Sequence, residues 1–392
     1  LVWYGENHKV TGGISFEYQM ADNAYLRNGT GYYRYKSLDD FFAGETPEVV
    51  CLTYGYDGGS NPPAARVRFY RPSIYAQDEW TIHERFKLTY GLRIDGLFFN
   101  NADLRTNNAI LAIPYHTGDC KNAAGEFIDG GKGCVTGRHI DTGKWPNASV
   151  TFSPRIGFTW DILGNKSLKL RGGTGLFSGR LPLVFFTNMP TNAGTVQYQA
   201  QLGPSVKYAN LPDEVKAKYP DMASILNEFK GDMLTSISDL RAKLVSMGFP
   251  SAYDPAKGTK PATISAVDPN FKMPQVWKTS LAIDYQFPTS FPFSITAEGI
   301  YNKTLNAVSI SDWSILPVAG FAKFNGADNR SIYPSNFRTG TAAFVLENTN
   351  QGYGWTANVT MKISPVQGLD IMAAYTHTAN KEITGMPGRA AE

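Results

Sequence analysis

The sequence has little charge and no long hydrophobic run. Asp, Glu, Lys and Arg make up only 18% of its 392 residues, against about 25% in an ordinary soluble domain. The strongest apolar runs are a few residues long, Leu183-Val-Phe-Phe186 among them. A transmembrane helix needs roughly 18 or more, so a membrane protein with this sequence has to be a barrel. Basic and acidic residues nearly balance, for a net charge of +3. No basic stripe results, which argues against nucleic acid as a partner. Cysteine is scarce, with three in the chain. Cys120 and Cys134 flank a Gly-rich polar segment and are a candidate disulfide. It would close a loop of about 15 residues, contribute about 3 kcal/mol, and require an oxidising compartment. Two free thiols are the alternative, and Cys51 is left over. The opening Leu1-Val-Trp-Tyr-Gly5 has no basic segment or cleavage site of a signal peptide. The chain ends in Gly388-Arg-Ala-Ala-Glu392 just after a strand-like stretch, so it reads as an internal fragment.

Catalytic and metal motifs are also missing. His83-Glu84-Arg85-Phe86-Lys87 begins like a zinc-protease motif but has Lys where the second His must stand. His116 and His139 share one loop without further ligands. Asp119, Glu126 and Asp129 could offer oxygens to calcium, but their spacing matches no known loop, and a solvated polar segment explains them better. Gly173-Thr-Gly175 runs to Gly179 with one residue too many for a dinucleotide fingerprint, and it sits inside a strand. There is no Gly-x-Ser-x-Gly elbow. No enzyme, metal or cofactor is expected.

What the chain does have is aromatic residues, 13% of the total, and sustained alternation. In Val150–Leu163, Phe152, Ile156, Phe158, Trp160 and Ile162 fall on one side. Ser153, Arg155, Gly157, Thr159 and Asp161 fall on the other. That is a strand with one apolar and one polar face. Gly164-Asn165-Lys166 turns it into Ser167–Ser178, with Lys169, Arg171, Gly173 and Gly175 on the polar side. Each arm is long for a soluble strand and suits the roughly 9–11 residues of a tilted membrane strand. The same pattern marks Lys9–Met20, Phe86–Phe99, Gln275–Phe287, Phe293–Asn306 and Tyr353–Ser364, and further strands are expected at Arg66–Ile82 and Leu369–Thr378. Weaker strands are expected at Gly31–Lys36 and Val49–Tyr56, with a turn at Asp39–Phe42 between them. Pro212-Asp213-Glu214 opens a helical pattern over 211–247, interrupted at Gly231. Two short helices are expected there.

Short connections at 83–85, 164–166, 288–292 and 365–367 alternate with long ones at 100–149, 179–271 and 311–340. In an up-and-down barrel alternate connections share a rim. Short turns on one rim and long loops on the other is the outer-membrane arrangement.

Particular stretches resemble barrel strands of TonB-dependent outer-membrane receptors. They are Tyr75-Ala-Gln-Asp-Glu-Trp80, Leu88-Thr-Tyr-Gly-Leu-Arg-Ile-Asp95, Phe152-Ser-Pro-Arg-Ile-Gly-Phe-Thr-Trp160 and Leu170-Arg-Gly-Gly-Thr-Gly-Leu-Phe177. Met273–Asp284, Glu298-Gly-Ile-Tyr-Asn-Lys303 and Asn348-Thr-Asn-Gln-Gly-Tyr353 resemble, more narrowly, the Oar-like branch of Bacteroidetes-type bacteria. The resemblance implies a barrel of roughly 22 strands with an N-terminal plug and a box that binds TonB. Neither is seen in residues 1–392.

The expected fold is therefore all-β: a partial antiparallel up-and-down transmembrane barrel of about 11 strands, with a small helical insert in one extracellular loop. The expected function is a TonB-dependent receptor segment in the bacterial outer membrane, moving an unidentified ligand. Its partners would be outer-membrane lipid, that ligand, and the TonB complex through a missing N-terminal region. The alternative is a structural or adhesive barrel that binds a host or matrix partner through its loops. Arg93, Arg155, Asp161, Arg171, Glu298 and Lys362 are the candidate lumen-facing contacts to ligand or plug. Pairing across neighbouring strands is the ordinary use of such charges.

Overall fold

The computed structural model describes residues 1–56, 63–115, 138–232, 236–256, 258, 260–261, 263–315, 321–327, 329–335, 337–338 and 341–382. A short edge strand, β1 (Val2–Tyr4), turns into the first long strand, β2 (His8–Asn23). The chain then leaves the wall through β3 (Tyr32–Arg34), α1 (Leu38–Phe42) and β4 (Val49–Gly55). It returns as the hairpin β5 (Ala65–His83) and β6 (Phe86–Phe99). A second excursion carries α2 (Asn108–Leu111), and the hairpin β7 (Ser149–Asp161) and β8 (Leu168–Ser178) follows. The third excursion is the longest. It holds α3 (Val184–Thr191), β9 (Gln197–Leu202), α4 (Asp213–Lys218), α5 (Met222–Asn227), α6 (Ile237–Met247) and β10 (Thr263–Val267). Then come β11 (Gln275–Gln286), β12 (Phe293–Asp312), β13 (Ala342–Thr349), β14 (Gly352–Val366) and β15 (Leu369–Glu382).

The main sheet runs β1-β2-β5-β6-β7-β8-β11-β12, with β14 and β15 beyond β12. Nine of its strands are 11–20 residues long and pair antiparallel throughout. On the side away from β11, strand β12 serves two partners. Phe293–Lys303 pairs with β14, and Ala307–Asp312 pairs with β13, which β10 joins in parallel. Among the described residues the sheet does not close. Every connection between wall neighbours is either a tight turn or an excursion, in strict alternation, so all excursions leave from one rim.

Register shows why the wall is a wall. One face of successive rows reads Ile14, Ile74, Ile94 and Phe152, and another row reads Leu88 and Phe158. Aromatic side chains gather on this face near the tight turns: Trp80, Phe86, Trp160, Tyr285, Phe287 and Phe293. Phe287 stacks on Phe293 at 4.3 Å, and Phe86 on Phe158 at 6.2 Å. Ile14, Phe16, Phe152 and Val359 stand exposed. The buried apolar side chains lie elsewhere, in the excursions and the upper wall, with Ala282 an exception in the middle.

The excursions are folded. Strands β3, β4 and β9 form a separate three-stranded sheet. The two stretches read from sequence as weak wall strands, 31–36 and 49–56, thus belong to this cap. Its core joins Leu52, Leu202, Val215, Ile225, Phe229, Leu240 and Leu244. The 211–247 insert holds three short helices, one more than expected. Gly231, at φ +70°, separates the last two. Asp221 and Ser224 form a reciprocal capping box on α5, and Ser236 accepts the Asp239 N–H at the start of α6. Residues 39–42 are helical, not a turn, because the Ser37 hydroxyl accepts from the Asp40 N–H and Asp39 and Asp40 occupy the first turn. Helix α3 was not anticipated. It packs Phe186 and Met189 against Val67, Phe69 and Leu97, which point to the inner side at the upper wall. Strands β9, β10 and β13 were also unforeseen.

Candidate functional site

The face opposite the apolar one carries the charges, and most are paired across strands. On the lower wall the Glu79 carboxylate lies 3.3 Å from Lys9 Nζ and 2.9 Å from Lys87 Nζ, tying β2, β5 and β6. Higher up, buried Asp95 accepts from Arg93 Nε at 3.0 Å and lies 3.3 Å from Arg71 Nε. Arg93 also donates to the Ser73 hydroxyl at 2.7 Å. Arg171 reaches Asp284 at 3.0 Å and Glu298 at 3.4 Å, spanning β8, β11 and β12. Thr296 donates to the other Asp284 oxygen at 2.8 Å. Arg180, just past β8, meets Glu17 of β2 at 3.0 Å. On a flat sheet β2 and β8 would stand about 19 Å apart. Side chains meet over that span only if the sheet bends towards this face, so the charged face is the concave one.

The six candidates read from sequence fall into three groups. Arg93, Arg171 and Glu298 sit in the paired networks above. Asp161 serves the β7–β8 turn, where its carboxylate accepts the Gly164 N–H at 3.0 Å and the Lys166 N–H at 2.9 Å. Arg155 lies with its guanidinium 4.5 Å over the Phe177 ring, and Lys362 stands on the inner face of β14. Among the described residues neither Arg155 nor Lys362 has a carboxylate partner. Sequence reasoning passed over Lys278, Asp284, Asp95 and Arg71. Parity alone reveals them: Lys278 and Asp284 alternate with Trp277, Leu281, Ile283 and Tyr285.

A shallow depression of about 620 Å³ lies in this face. Part of its floor is bare backbone, because Gly91, Gly157 and Gly173 in its lining carry no side chain. A Cβ at Gly173 would come within 2.9 Å of the Ile156 carbonyl on the adjacent strand, so glycine allows the strands to run this close. Among the described residues no group of three or more His, Cys, Asp and Glu can hold a metal ion. His139 bonds the Leu111 carbonyl and His83 accepts the Arg85 N–H. Cys120, Cys134, His116, Asp119, Glu126 and Asp129 lie outside the described residues. Cys51 is free and buried in β4, and burial pushes its thiol up.

One polar cluster lies on the apolar face. Asp78 accepts from Tyr90 at 2.9 Å and lies 2.7 Å from His8 Nδ1, and the His8 ring stacks on Trp80. It sits just above the aromatic belt.

An apolar, belted outer face and a charged inner face are the two sides of an outer-membrane barrel wall. Residues 1–385 match the family model described as "Outer membrane beta barrel domain", and the chain belongs to that family. The protein resides in the bacterial outer membrane. No curated protein matches the chain. Solved structures similar to it include the outer membrane transporter YddB of Escherichia coli, at 10% identity and TM-score 0.46, covering 97% of this chain and 32% of that one. The FrpB iron transporter of Neisseria meningitidis (F3-3 variant) gives 12%, 0.40, 97% and 34%. The siderophore receptor PirA of Pseudomonas aeruginosa gives 7%, 0.35, 96% and 44%. The chain spans about a third of the length of the first two.

Proposed function

We propose that residues 1–392 supply part of the wall and loop cap of an outer-membrane receptor that moves a ligand inward or outward with TonB-coupled energy. The inner face carries the reading: its ion-paired rows line a wet lumen, while folded loops cover the mouth. Long loops in such barrels face the cell exterior, so the cap with its helices at 211–247 is the surface that meets ligand first. A plug domain and a TonB-binding box in the complete protein belong to this proposal. So does membership of the Oar-like branch.

The adhesive reading draws on a different observation. Leu38 and Phe42 of α1 project from the cap at 74% and 79% exposure, as a contact for another protein would. The two readings separate in one experiment. The complete gene product, extracted from its own outer membrane, is mixed with the periplasmic domain of TonB. A stable complex is expected. A folded barrel that never retains TonB would overturn the receptor reading and leave the adhesive one.

A further inference from the structure

Most cations on the inner face have a carboxylate within reach, but two neighbouring ones do not. Lys9 and Lys87 share Glu79, Arg71 and Arg93 share Asp95, and Arg171 has both Asp284 and Glu298. Among the described residues Arg155 and Lys278 have no anionic partner. They stand in one row: Arg155 pairs with Gly175, and Gly175 pairs with Lys278. Their backbones are therefore two strands apart, about 10 Å, with only glycine between. Both belong to the lining of the 620 Å³ depression, together with Gln77, Thr89, Ser280 and Asn302. Two long cationic side chains thus flank a bare floor ringed by hydroxyls and amides.

We propose that Arg155 and Lys278 bind the anionic group, a carboxylate or phosphate, of the small ligand that passes along this wall. The inference rests on the receptor reading and names its ligand class. Guanidinium offers paired N–H donors that match either oxyanion, and ammonium adds a compact charge. Phe177 holds the Arg155 guanidinium over its ring at 4.5 Å, which keeps the group ordered without neutralising it. Thr89 and Ser280 can donate to remaining oxygens, and Gln77 and Asn302 can donate to the body of the ligand.

The test uses the complete gene product in detergent at low salt, titrated with pyrophosphate and, separately, with citrate. Arg155→Gln, Lys278→Gln, the double variant and Lys169→Gln, an inner-face lysine outside the depression, are compared, with folding checked by heat-modifiable migration on gels. Wild type and Lys169→Gln should bind alike. Each single variant at the site should lose about tenfold, the scale of one charge-assisted hydrogen bond. Binding of one probe only would assign phosphate or carboxylate. Equal affinity in the double variant, or an equal loss in Lys169→Gln, overturns the assignment. So does a wild type that binds neither probe, and TonB retention scored in the same preparation shows whether the receptor reading survives it.

Discussion

Asp78 has the most demanding position on the outer face, since the residue is 8% exposed and its side chain points where lipid begins. A carboxylate there is tolerable only because His8 and Tyr90 both bond it. His8→Leu removes one partner and should cost about 1–3 kcal/mol. Leucine at both 8 and 78 with phenylalanine at 90 should recover most of that loss, because the Tyr90 hydroxyl that donates to Asp78 is then removed too and no member of the cluster stays unpaired. Urea unfolding from lipid vesicles checks both, and a triple variant less stable than the single one would contradict the argument. Asp221 poses the opposite case, an exposed carboxylate. The Ser224 N–H, then the Ser224 hydroxyl, hold its carboxyl below the ordinary aspartate range. A lowered folded value stabilises the α5 cap above the unfolded value, about 3.9. That contribution is lost as pH falls through the folded value. The protection factor of the Ser224 amide, its exchange corrected for the intrinsic pH dependence, should fall on acidification below about pH 4 and stay level above it.

The elements show where sequence was legible and where it was not. The wall strands alternate because each faces two different solvents, and Phe152 against Ser153 is enough to see it. Strand β4 has no such signature. Val50, Cys51, Leu52, Thr53 and Tyr54 are all buried, since the cap covers both its faces, and it was counted with the wall for that reason. Strands β9, β10 and β13 were missed on the same ground: loops, not lipid or lumen, surround them. The inner-face charges were half legible, because Arg155 and Arg171 lie in a clear hairpin while Lys278 follows two apolar residues that distract from its parity. Two element-scale predictions follow from packing. Phe229, fully buried in the cap core, should cost about 3–5 kcal/mol as Ala. Gly248 ends α6 at φ +108°, and Ala there should cost about 1 kcal/mol. Both changes should release the cap to protease while leaving barrel insertion intact, as read by proteolysis of intact cells.

At the scale of the whole molecule, stability is split between two environments. The cap buries apolar side chains in the ordinary way, whereas the wall exposes Ile14, Phe16, Phe152, Ile283 and Val359 on one face and relies on lipid to cover them. The sheet is also open. Among the described residues β15 pairs only with β14, and β1 only with β2, so two edges present unpaired N–H and C=O groups. Residues 1–392 expressed alone should therefore be polydisperse in plain buffer and become tractable only in detergent or lipid. Val359→Arg extends the argument to one side chain. Placed on the lipid face, it should oppose folding into vesicles by about 2–4 kcal/mol if it lies near the midplane, whereas Lys362→Gln on the lumen side should be neutral. Light scattering and vesicle-folding gels read these outcomes. A monodisperse monomer in plain buffer, or equal folding of the two variants, would mean that the apolar face does not meet lipid.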